Sequence, residues 1–367
     1  MIKFKRIPID NIVVGMILGD DVMNSNGLIL IPRKTALQQK HIYRLKLYDI
    51  LSVVIELETS IPLTIEEEEV IQPLFEEVVN TPNVSNQQNF NEFRNVYQKN
   101  EDEIKSQLYA ISNGDQIKID DLRTISQSLL DGLVTKGELF NYLYHLKAND
   151  DYTYTHSLNV SLLCNIFGTW LKLPAAQIEE LTLAGLLHDI GKVKVDENIL
   201  NKPGKLTSEE FGAIKKHSRL GYDAIKDQPI SDAIKYGVLM HHEKMDGSGY
   251  PLGLHEADIH EFAKIIAIVD IYDAMTSNRS YHKKFSPFKV IQVFEQESYG
   301  LLDTAFLFVF LQNIAHNYLG KEVKLSNGDI GKIVFIHNTA PSRPIIEIGE
   351  RMVDLMTETS LNIEEIM

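Results

Sequence analysis

The segment LTLAGLLHDIGK, residues 181–192, says most about the architecture of this chain. Leucine, alanine and glycine dominate it, which is typical of a helix buried inside a domain. The helix ends in His188 and Asp189, which are costly to bury without a partner, and a divalent metal suits both. Lys192 follows on the same helical face, where its ammonium can reach a phosphate oxygen. The plainer alternative is a helix end at which Lys192 pairs with Asp189.

Helical spacing of apolar residues continues on both sides of this segment, over about residues 115–318. Residues 264–275 predict a second, mainly apolar helix, and residues 286–287 (Ser-Pro) start another with proline in its first turn. We therefore predict a mainly α chain with an all-helical domain at residues 126–319.

Small β-rich modules are predicted at both ends of the chain. Asn-Gly pairs at 26–27 and 327–328 stand between apolar runs, which is a strong hairpin signal. These patterns predict a β-rich N-terminal module at residues 1–62 and a small C-terminal β unit at 320–367. Residues 63–125 are acidic and rich in Asn and Gln, so we expect a helical connector with a flexible stretch near residues 80–92.

Composition excludes several classes of protein. The chain has 367 residues, with 36 Lys and Arg against 51 Asp and Glu, and a formal charge of −15. This balance argues against binding to a nucleic acid polymer, because such binding depends on Lys and Arg at phosphates. Apolar runs are too short for membrane insertion. The single cysteine, Cys164, excludes a disulfide framework, and we predict a cytoplasmic protein.

Histidines and carboxylates outside the first segment form further candidate sites. The stretch HHEKMDGSGYP, residues 241–251, places two histidines beside a glycine-containing turn whose amides could approach an anion. Asp270 and Asp273 interrupt an otherwise apolar helix, where buried carboxylates need a metal or another cation. Taken singly, each histidine is more often a core residue than a ligand, so the argument rests on the whole set, which also includes His156 and His217.

In order, these residues resemble the HD-GYP family, a branch of the HD phosphohydrolase superfamily whose members hydrolyse cyclic di-GMP. The resemblance covers roughly residues 126–319 and includes the HD pair, the HHE segment, the GYP triplet and the later aspartate. It implies an all-helical HD-type metal-dependent phosphohydrolase domain with two metal ions. One ion would be held by His156, His188, Asp189 and Asp270, and Asp189 would bridge to a second ion held by His217, His241 and His242.

The resemblance also implies a mechanism. A metal-bridging hydroxide would attack the phosphodiester phosphorus, with Asp189 and Lys192 as catalytic residues and cyclic di-GMP opened to linear pGpG, or onward to GMP. Mixed imidazole and carboxylate ligands favour iron or manganese over zinc. Arg279 would hold the second phosphate. Substrate contacts are predicted for Lys192, Gly249, Tyr250, Pro251, Asp273, Arg279 and His282.

Two positions depart from the family pattern. Some members bind a third metal through a glutamate one turn before the first histidine, where this chain has Tyr152, so we predict a two-metal site and mainly pGpG. His282 stands where a basic residue is common, and a partly neutral imidazole is a weaker phosphate ligand.

Two other functions remain open from the sequence. One is hydrolysis of another nucleotide by an HD phosphohydrolase. The other is a catalytically weak receptor or scaffold that binds cyclic di-GMP. Diguanylate cyclase (GGDEF) proteins and a second copy of the chain, in a homodimer, are the candidate protein partners.

Overall fold

The structure is a computed structural model, and it describes residues 3–9, 12–23, 29–38, 41–42, 45, 50, 52–57, 86–131, 133, 136–146, 152–200, 202, 204–277, 284–298 and 300–367. The chain divides into two compact units, residues 1–89 and 90–367. Each unit is described by itself below.

The first unit contains short antiparallel strands. They are β1 (Lys3–Pro8), β2 (Ile17–Leu18), β3 (Val22–Met23), β4 (Ile29–Ile31) and β5 (Ser52–Leu57). β1 and β2 flank β5 in one sheet, and β3 pairs with β4 in a second. The hairpin predicted around residues 26–27 agrees with the β3–β4 pairing, although its turn lies outside the described residues. The N-terminal region is therefore strand-containing, as predicted.

The second unit is mainly helical, and its first helix begins a few residues before the boundary, at Asn86. Its helices are α1 (Asn86–Ser112), α2 (Ile119–Asp131), α3 (Lys136–His145), α4 (Tyr152–Trp170), α5 (Ala175–Leu187), α6 (Glu197–Leu200), α7 (Ser208–Lys215), α8 (His217–Ile225), α9 (Asp232–Met240), α10 (Glu261–Thr276), α11 (Pro287–Glu297) and α12 (Thr304–His316). α5 packs against both α4 and α9, and α10 packs against α4 and α9. The second half of α5, Leu181–Leu187, is thus enclosed on several sides, which explains why it is almost entirely apolar.

Helix starts follow the local chemistry of the sequence. Thr207 and Glu210 form a reciprocal capping box at the start of α7. Ser286 accepts a hydrogen bond from the Lys289 amide at the start of α11, and Pro287 occupies the first turn, as predicted. Of the helices that the structure describes, none has the length and apolar character needed to cross a bilayer.

Helix α1 differs from the predicted connector. It begins at Asn86, so residues 86–92 are helical and not part of a flexible stretch. A stripe of its side chains is buried in the core shared by the helices of the second unit, namely Phe93, Tyr97, Ile104, Leu108 and Ile111. These apolar residues are too few for a separate core, but they are sufficient to attach one face of a helix to an existing core.

The C-terminal strands form a five-stranded antiparallel sheet. They are β6 (Glu322–Leu325), β7 (Ile330–Phe335), β8 (Ile345–Ile348), β9 (Arg351–Asp354) and β10 (Ile363–Ile366), in the order β10-β6-β7-β8-β9. The predicted turn lies between β6 and β7, where Gly328 has φ +87°. Ser286 donates to the Ile363 carbonyl at 2.9 Å, and buried strand residues join the helical core. The predicted fold class is confirmed.

Candidate metal centre

Ends and faces of five helices bring the predicted ligands together. His156 lies on α4, and Asp270 lies on α10. His188 and Asp189 follow α5, His217 is the first residue of α8, and the adjacent His241 and His242 follow α9. Candidate ligand atoms of Asp189, His217, His241 and His242 lie within 4.8 Å of one another, and so do those of His156, His188 and Asp189.

A close backbone contact lets two of these segments meet. A short 3-10 helix, Ile190–Lys194, follows the HD pair and packs against α8. A Cβ atom on Gly191 would lie 1.9 Å from the His217 carbonyl oxygen and 2.4 Å from the Gly221 nitrogen. Only glycine fits at this position, and the contact holds His217 beside Asp189.

The carboxylate of Asp189 faces two separate groups of nitrogen atoms. Its Oδ2 lies 3.3 Å from His188 Nε2 and 3.6 Å from His156 Nε2. Its Oδ1 lies 3.2 Å from His217 Nε2 and 3.9 Å from His241 Nε2. One carboxylate therefore stands between two histidine pairs.

Lys192 adds a positive charge at the edge of this arrangement. Its Nζ pairs with Asp189 Oδ2, as the plainer sequence interpretation predicts, and its side chain is 21% exposed. The ion pair and the histidine cluster thus coexist, and the ammonium lies where an incoming anion would meet it.

Three of the histidines are oriented by helix backbone. The Nδ1 atoms of His188, His217 and His241 lie 2.7–2.8 Å from the carbonyl oxygens of Gly185, Ile214 and Val238, each three residues earlier. A carbonyl only accepts, so each Nδ1 carries the proton and each Nε2 presents a lone pair.

These Nε2 lone pairs fit a metal ion. Among the described residues, His188 Nε2 has no hydrogen-bond partner although it is buried. His217 Nε2 and His241 Nε2 lie 3.2 Å apart. Lone pairs facing one another and a carboxylate repel unless a cation lies between them. The donor set of imidazoles and carboxylates therefore fits divalent metal ions.

His156 is held by side chains instead. Its Nδ1 lies 2.7 Å from Asp273 Oδ2 and its Nε2 lies 2.9 Å from Asp270 Oδ1. Burial lowers the pKa of His156, but the hydrogen bonds to Asp270 and Asp273 outweigh burial and raise the pKa to about 9. A proton thus occupies the His156–Asp270 contact in the metal-free protein, and a metal ion would replace that proton.

The remaining groups take the charge states that a metal site requires. Burial raises the pKa of Asp189, but the neighbouring His188 and the positive charge of Lys192 outweigh it and hold the pKa well below its usual range. Burial and the neighbouring histidines lower the pKa of His241 well below its usual range, and burial lowers that of His242 to about 3. Carboxylates are ionised and these imidazoles are neutral near pH 7, as ligands must be.

The loop after His242 forms one wall of the site. Glu243 is 2% exposed, and its two carboxylate oxygens accept from the amides of Leu252 and Leu254 at 2.6 and 2.9 Å. A Cβ atom on Gly249 would lie 2.4 Å from the Glu243 Cα, so only glycine fits. The Tyr250 ring lies 4.7 Å from the His242 ring, between centroids. Glu243 therefore shapes the loop that places Tyr250 beside a candidate ligand.

A cation and an exposed aromatic ring stand next to Tyr250. Lys215 Nζ lies 5.1 Å from the centre of the Tyr250 ring and 4.8 Å from that of Phe211. Phe211 is 47% exposed, so its ring is accessible at the surface beside Tyr250.

The predicted site residues have different outcomes. The structure brings together His156, His188, Asp189, Lys192, His217, His241, His242 and Asp270, with Gly249, Tyr250 and Pro251 in the adjoining loop. Asp273 does not offer a surface to a substrate, because it is 2% exposed and faces His156. Arg279 and His282 lie outside the described residues, as does the side chain of Tyr152.

Sequence reasoning missed Tyr97 and Asn159. Asn159 is buried, and its Nδ2 donates to Asp273 Oδ1 at 2.8 Å, while Tyr97 donates to Asn159 Oδ1 at 2.5 Å. The available signal was an asparagine three residues after His156 in a mainly apolar helix, which places both on one face. No pattern in the sequence pointed to Tyr97, since it lies in a distant helix.

Comparison with known proteins agrees with this geometry. Residues 138–305 match the HD domain family. The chain is similar to the cyclic di-GMP phosphodiesterase PA4108 of Pseudomonas aeruginosa, with 37% identity over 207 residues, covering 56% of this chain and 50% of that protein. It is also similar to 3'3'-cGAMP-specific phosphodiesterase 1 of Vibrio cholerae, with 36% identity over 172 residues, covering 47% of this chain and 40% of that protein.

A solved structure is similar as well. Bd1817, an HDG"Y"P protein from Bdellovibrio bacteriovorus, gives a TM-score of 0.44 at 17% identity, covering 84% of this chain and 98% of that chain. The matches to the two curated relatives span half of their length or less.

Proposed function

Residues 138–305 match the HD domain family, and from this premise we propose that the protein is a metal-dependent phosphodiesterase that hydrolyses cyclic di-GMP to linear pGpG. The observation that supports this most is Asp189, whose two carboxylate oxygens face two different histidine pairs. A shared carboxylate of this kind suits a binuclear site for phosphodiester hydrolysis. The names of curated relatives supply the substrate class.

We assign the two ions to the groups predicted from the sequence. His156, His188, Asp189 and Asp270 would hold one ion, and Asp189, His217, His241 and His242 the other. Divalent iron or manganese would supply the positive charge that activates a water molecule and neutralises a phosphodiester. Lys192 would place its ammonium against the same phosphate oxygens, since it is partly exposed at the edge of the cluster.

Substrate binding is assigned to the surface beside the second group of ligands. Tyr250 and Phe211 present aromatic faces on which a guanine base can stack, and Lys215 between them can meet a phosphate. Gly249 and Pro251 shape the loop that carries Tyr250. Arg279 and His282 stay in the proposal as contacts to the second phosphate.

A second candidate substrate is 3'3'-cGAMP, because one of the curated relatives is named as specific for it. The two cyclic dinucleotides share the phosphodiester chemistry and differ in one purine. Discrimination between them would depend on groups at the purine edge.

The test is hydrolysis by the full chain, purified without oxygen and supplied with Mn²⁺ or Fe²⁺. We expect two bound ions per chain and conversion of cyclic di-GMP to pGpG. Chromatography measures this conversion. A parallel assay with 3'3'-cGAMP ranks the two substrates by kcat/KM. Cyclic di-GMP that stays intact with Mn²⁺ and with Fe²⁺ would overturn the proposal. Faster cleavage of 3'3'-cGAMP would show that 3'3'-cGAMP, and not cyclic di-GMP, is the preferred substrate.

We also place the protein in the cytoplasm. Cys164 is buried and free, which agrees with a reducing compartment.

A further inference from the structure

Helix α1 makes a line of polar contacts with α4, the helix that carries His156. Tyr97, Glu101 and Lys105 are spaced by four residues and so lie on one face of α1. Glu101 accepts a short hydrogen bond from the Thr155 hydroxyl, and Lys105 Nζ lies 5.6 Å from the centre of the Tyr154 ring. α1 is therefore fixed against the part of α4 that includes the first candidate ligand.

One of these contacts continues to the ligand itself. The Tyr97 hydroxyl lies 2.5 Å from Asn159 Oδ1 and 3.2 Å from the Thr155 carbonyl oxygen. Asn159 Nδ2 donates to Asp273 Oδ1 at 2.8 Å. Asp273 Oδ2 lies 2.7 Å from His156 Nδ1. Three side chains thus connect α1 to the histidine.

The order of donors and acceptors allows one arrangement of this network. The Asp273 carboxylate only accepts, so it requires the amide nitrogen of Asn159 on its side, and the amide oxygen then faces the Tyr97 hydroxyl, which donates to it. Asp273 then accepts from Asn159 on one oxygen and from His156 Nδ1 on the other. This fixes the proton of His156 on Nδ1 and leaves Nε2 directed at Asp189 and Asp270.

We propose that Tyr97 is a positioning residue for His156, through which helix α1 sets the affinity of the first metal group. The inference rests on the metal site of the proposed function, but it concerns metal affinity and does not depend on the substrate. Outer-shell partners of ligating histidines fix the ring orientation and raise ligand basicity, and Tyr97 secures that partner from a helix more than fifty residues away in sequence.

Tyr142 is a matched comparison for Tyr97. Both tyrosines are 3% exposed and both pack on Phe93, with ring centroids 5.9 Å apart for Tyr97 and 5.2 Å for Tyr142. Within the described part of the chain, the Tyr142 hydroxyl has no hydrogen-bond partner. Both residues are buried tyrosines that pack on Phe93, but Tyr97 contacts Asn159 in the network and Tyr142 does not.

This pair supplies the experiment, which compares Tyr97→Phe with Tyr142→Phe in the full chain. The readout is Mn²⁺ affinity and stoichiometry, measured by competition with a chelator. We expect Tyr97→Phe to weaken one of the two Mn²⁺ sites by about 3- to 10-fold, less than the roughly 10- to 100-fold typical of a direct outer-shell partner. Tyr142→Phe should leave both affinities unchanged.

A double-mutant cycle with Asp273→Asn tests whether the effect passes through the network. Once Asp273 is replaced, Tyr97→Phe should produce no further loss of Mn²⁺ affinity, because the connection is already broken. Equal Mn²⁺ affinity in Tyr97→Phe and Tyr142→Phe would overturn the inference, and so would fully additive losses in the cycle. Thermal unfolding of the metal-free variants separates lost affinity from lost folding.

Failure of the proposed function gives a different result. A chain that binds two Mn²⁺ ions but leaves cyclic di-GMP intact refutes the enzyme and still permits the affinity comparison. A wild-type chain that binds no Mn²⁺ refutes the inference together with the metal site. Where the chain is active, Tyr97→Phe should lower kcat at unchanged KM, since the network does not reach the proposed base-stacking surface.

Discussion

Four of the five histidines of the candidate metal centre are held in two different ways. His188, His217 and His241 each donate from Nδ1 to a backbone carbonyl three residues earlier. His156 is held by the carboxylates of Asp273 and Asp270, which lie 2.7 Å from its Nδ1 and 2.9 Å from its Nε2. The first group therefore depends on the helices being in place, and the second depends on particular side chains.

The two groups of histidines should therefore respond differently to side-chain substitutions. A backbone carbonyl at a helix end cannot be removed by a side-chain substitution, so the orientation of the first group persists as long as its helices pack. The orientation of His156 depends on Asp273, Asn159 and Tyr97, any of which can change without moving the fold. We infer that His156 is the ligand through which the site can be tuned.

The largest effect is expected from Asp189→Ala, which removes the one group that both kinds of histidine share. Both ions lose a ligand, so hydrolysis should fall by more than about 100-fold, since even outer-shell changes cost roughly 10- to 100-fold. Metal content and cyclic di-GMP turnover check this. Retention of two tightly bound ions would show that Asp189 does not bridge.

Gly191→Ala tests the backbone-held group. A methyl group would meet the His217 carbonyl oxygen at 1.9 Å, and backbone cannot move aside as a flexible side chain can. We expect about 1–3 kcal/mol or more of lost stability, together with weaker metal binding. The measurements are denaturant unfolding and Mn²⁺ affinity.

Gly212→Ala in α7 is the matched control. Its Cβ would meet no atom within 4 Å, so alanine should be neutral or raise the free energy of unfolding by up to about 1 kcal/mol. Equal behaviour of the two alanine variants would contradict the role given to the Gly191 contact.

The sequence predicted the ligands better than the means by which they are held. His188, Asp189 and the paired histidines at 241–242 stood out because polar groups at the end of an apolar helix require a partner. The Nδ1 contacts of the backbone-held group follow once those helices end where predicted. The network behind His156 could not be predicted, because it joins α1, α4 and α10, and local periodicity carries no information on which distant helices meet.

In the fold too, local features could be predicted from the sequence and contacts between distant segments could not. The hairpin at Asn327-Gly328 and the start of α11 at Ser286 were predictable, because turn and cap chemistry is local. The attachment of α1 to the helical core was not, since a sparse apolar stripe becomes meaningful only when a partner surface is present. The prediction that Asp273 contacts the substrate was wrong for the same reason, because local sequence does not show which helices bury its side chain.

Asp273→Asn tests the side-chain-held group. The carboxylate accepts from His156 and from Asn159 on separate oxygens, whereas an amide offers only one acceptor, so one contact is lost in either orientation. We expect one metal site to weaken by about 10- to 100-fold while the other keeps its affinity. Chelator competition with Mn²⁺ measures both sites.

Ser277→Ala is the control for this substitution. The Ser277 hydroxyl makes a long hydrogen bond of 3.3 Å to Asp273 Oδ1 and does not connect Asp273 to Tyr97. Mn²⁺ affinity should therefore be unchanged. Weakening of both metal sites by Asp273→Asn would show that the two groups of histidines are not independent.

The smallest effect is expected from Glu243→Gln, which alters the loop beside the backbone-held group without altering a ligand. Gln can accept from only one of the two amides, Leu252 or Leu254, that Glu243 now holds. Tyr250 should then be less well placed, raising KM by about 2- to 10-fold, the equivalent of roughly 0.5–1.5 kcal/mol for one hydrogen bond. Metal stoichiometry should stay the same, because His241 is oriented by the Val238 carbonyl and not by the loop.

Asp246→Asn, on the exposed turn of the same loop, is the control and should change neither KM nor metal stoichiometry. A loss of metal in Glu243→Gln would mean that the loop, and not the helix end, holds these histidines.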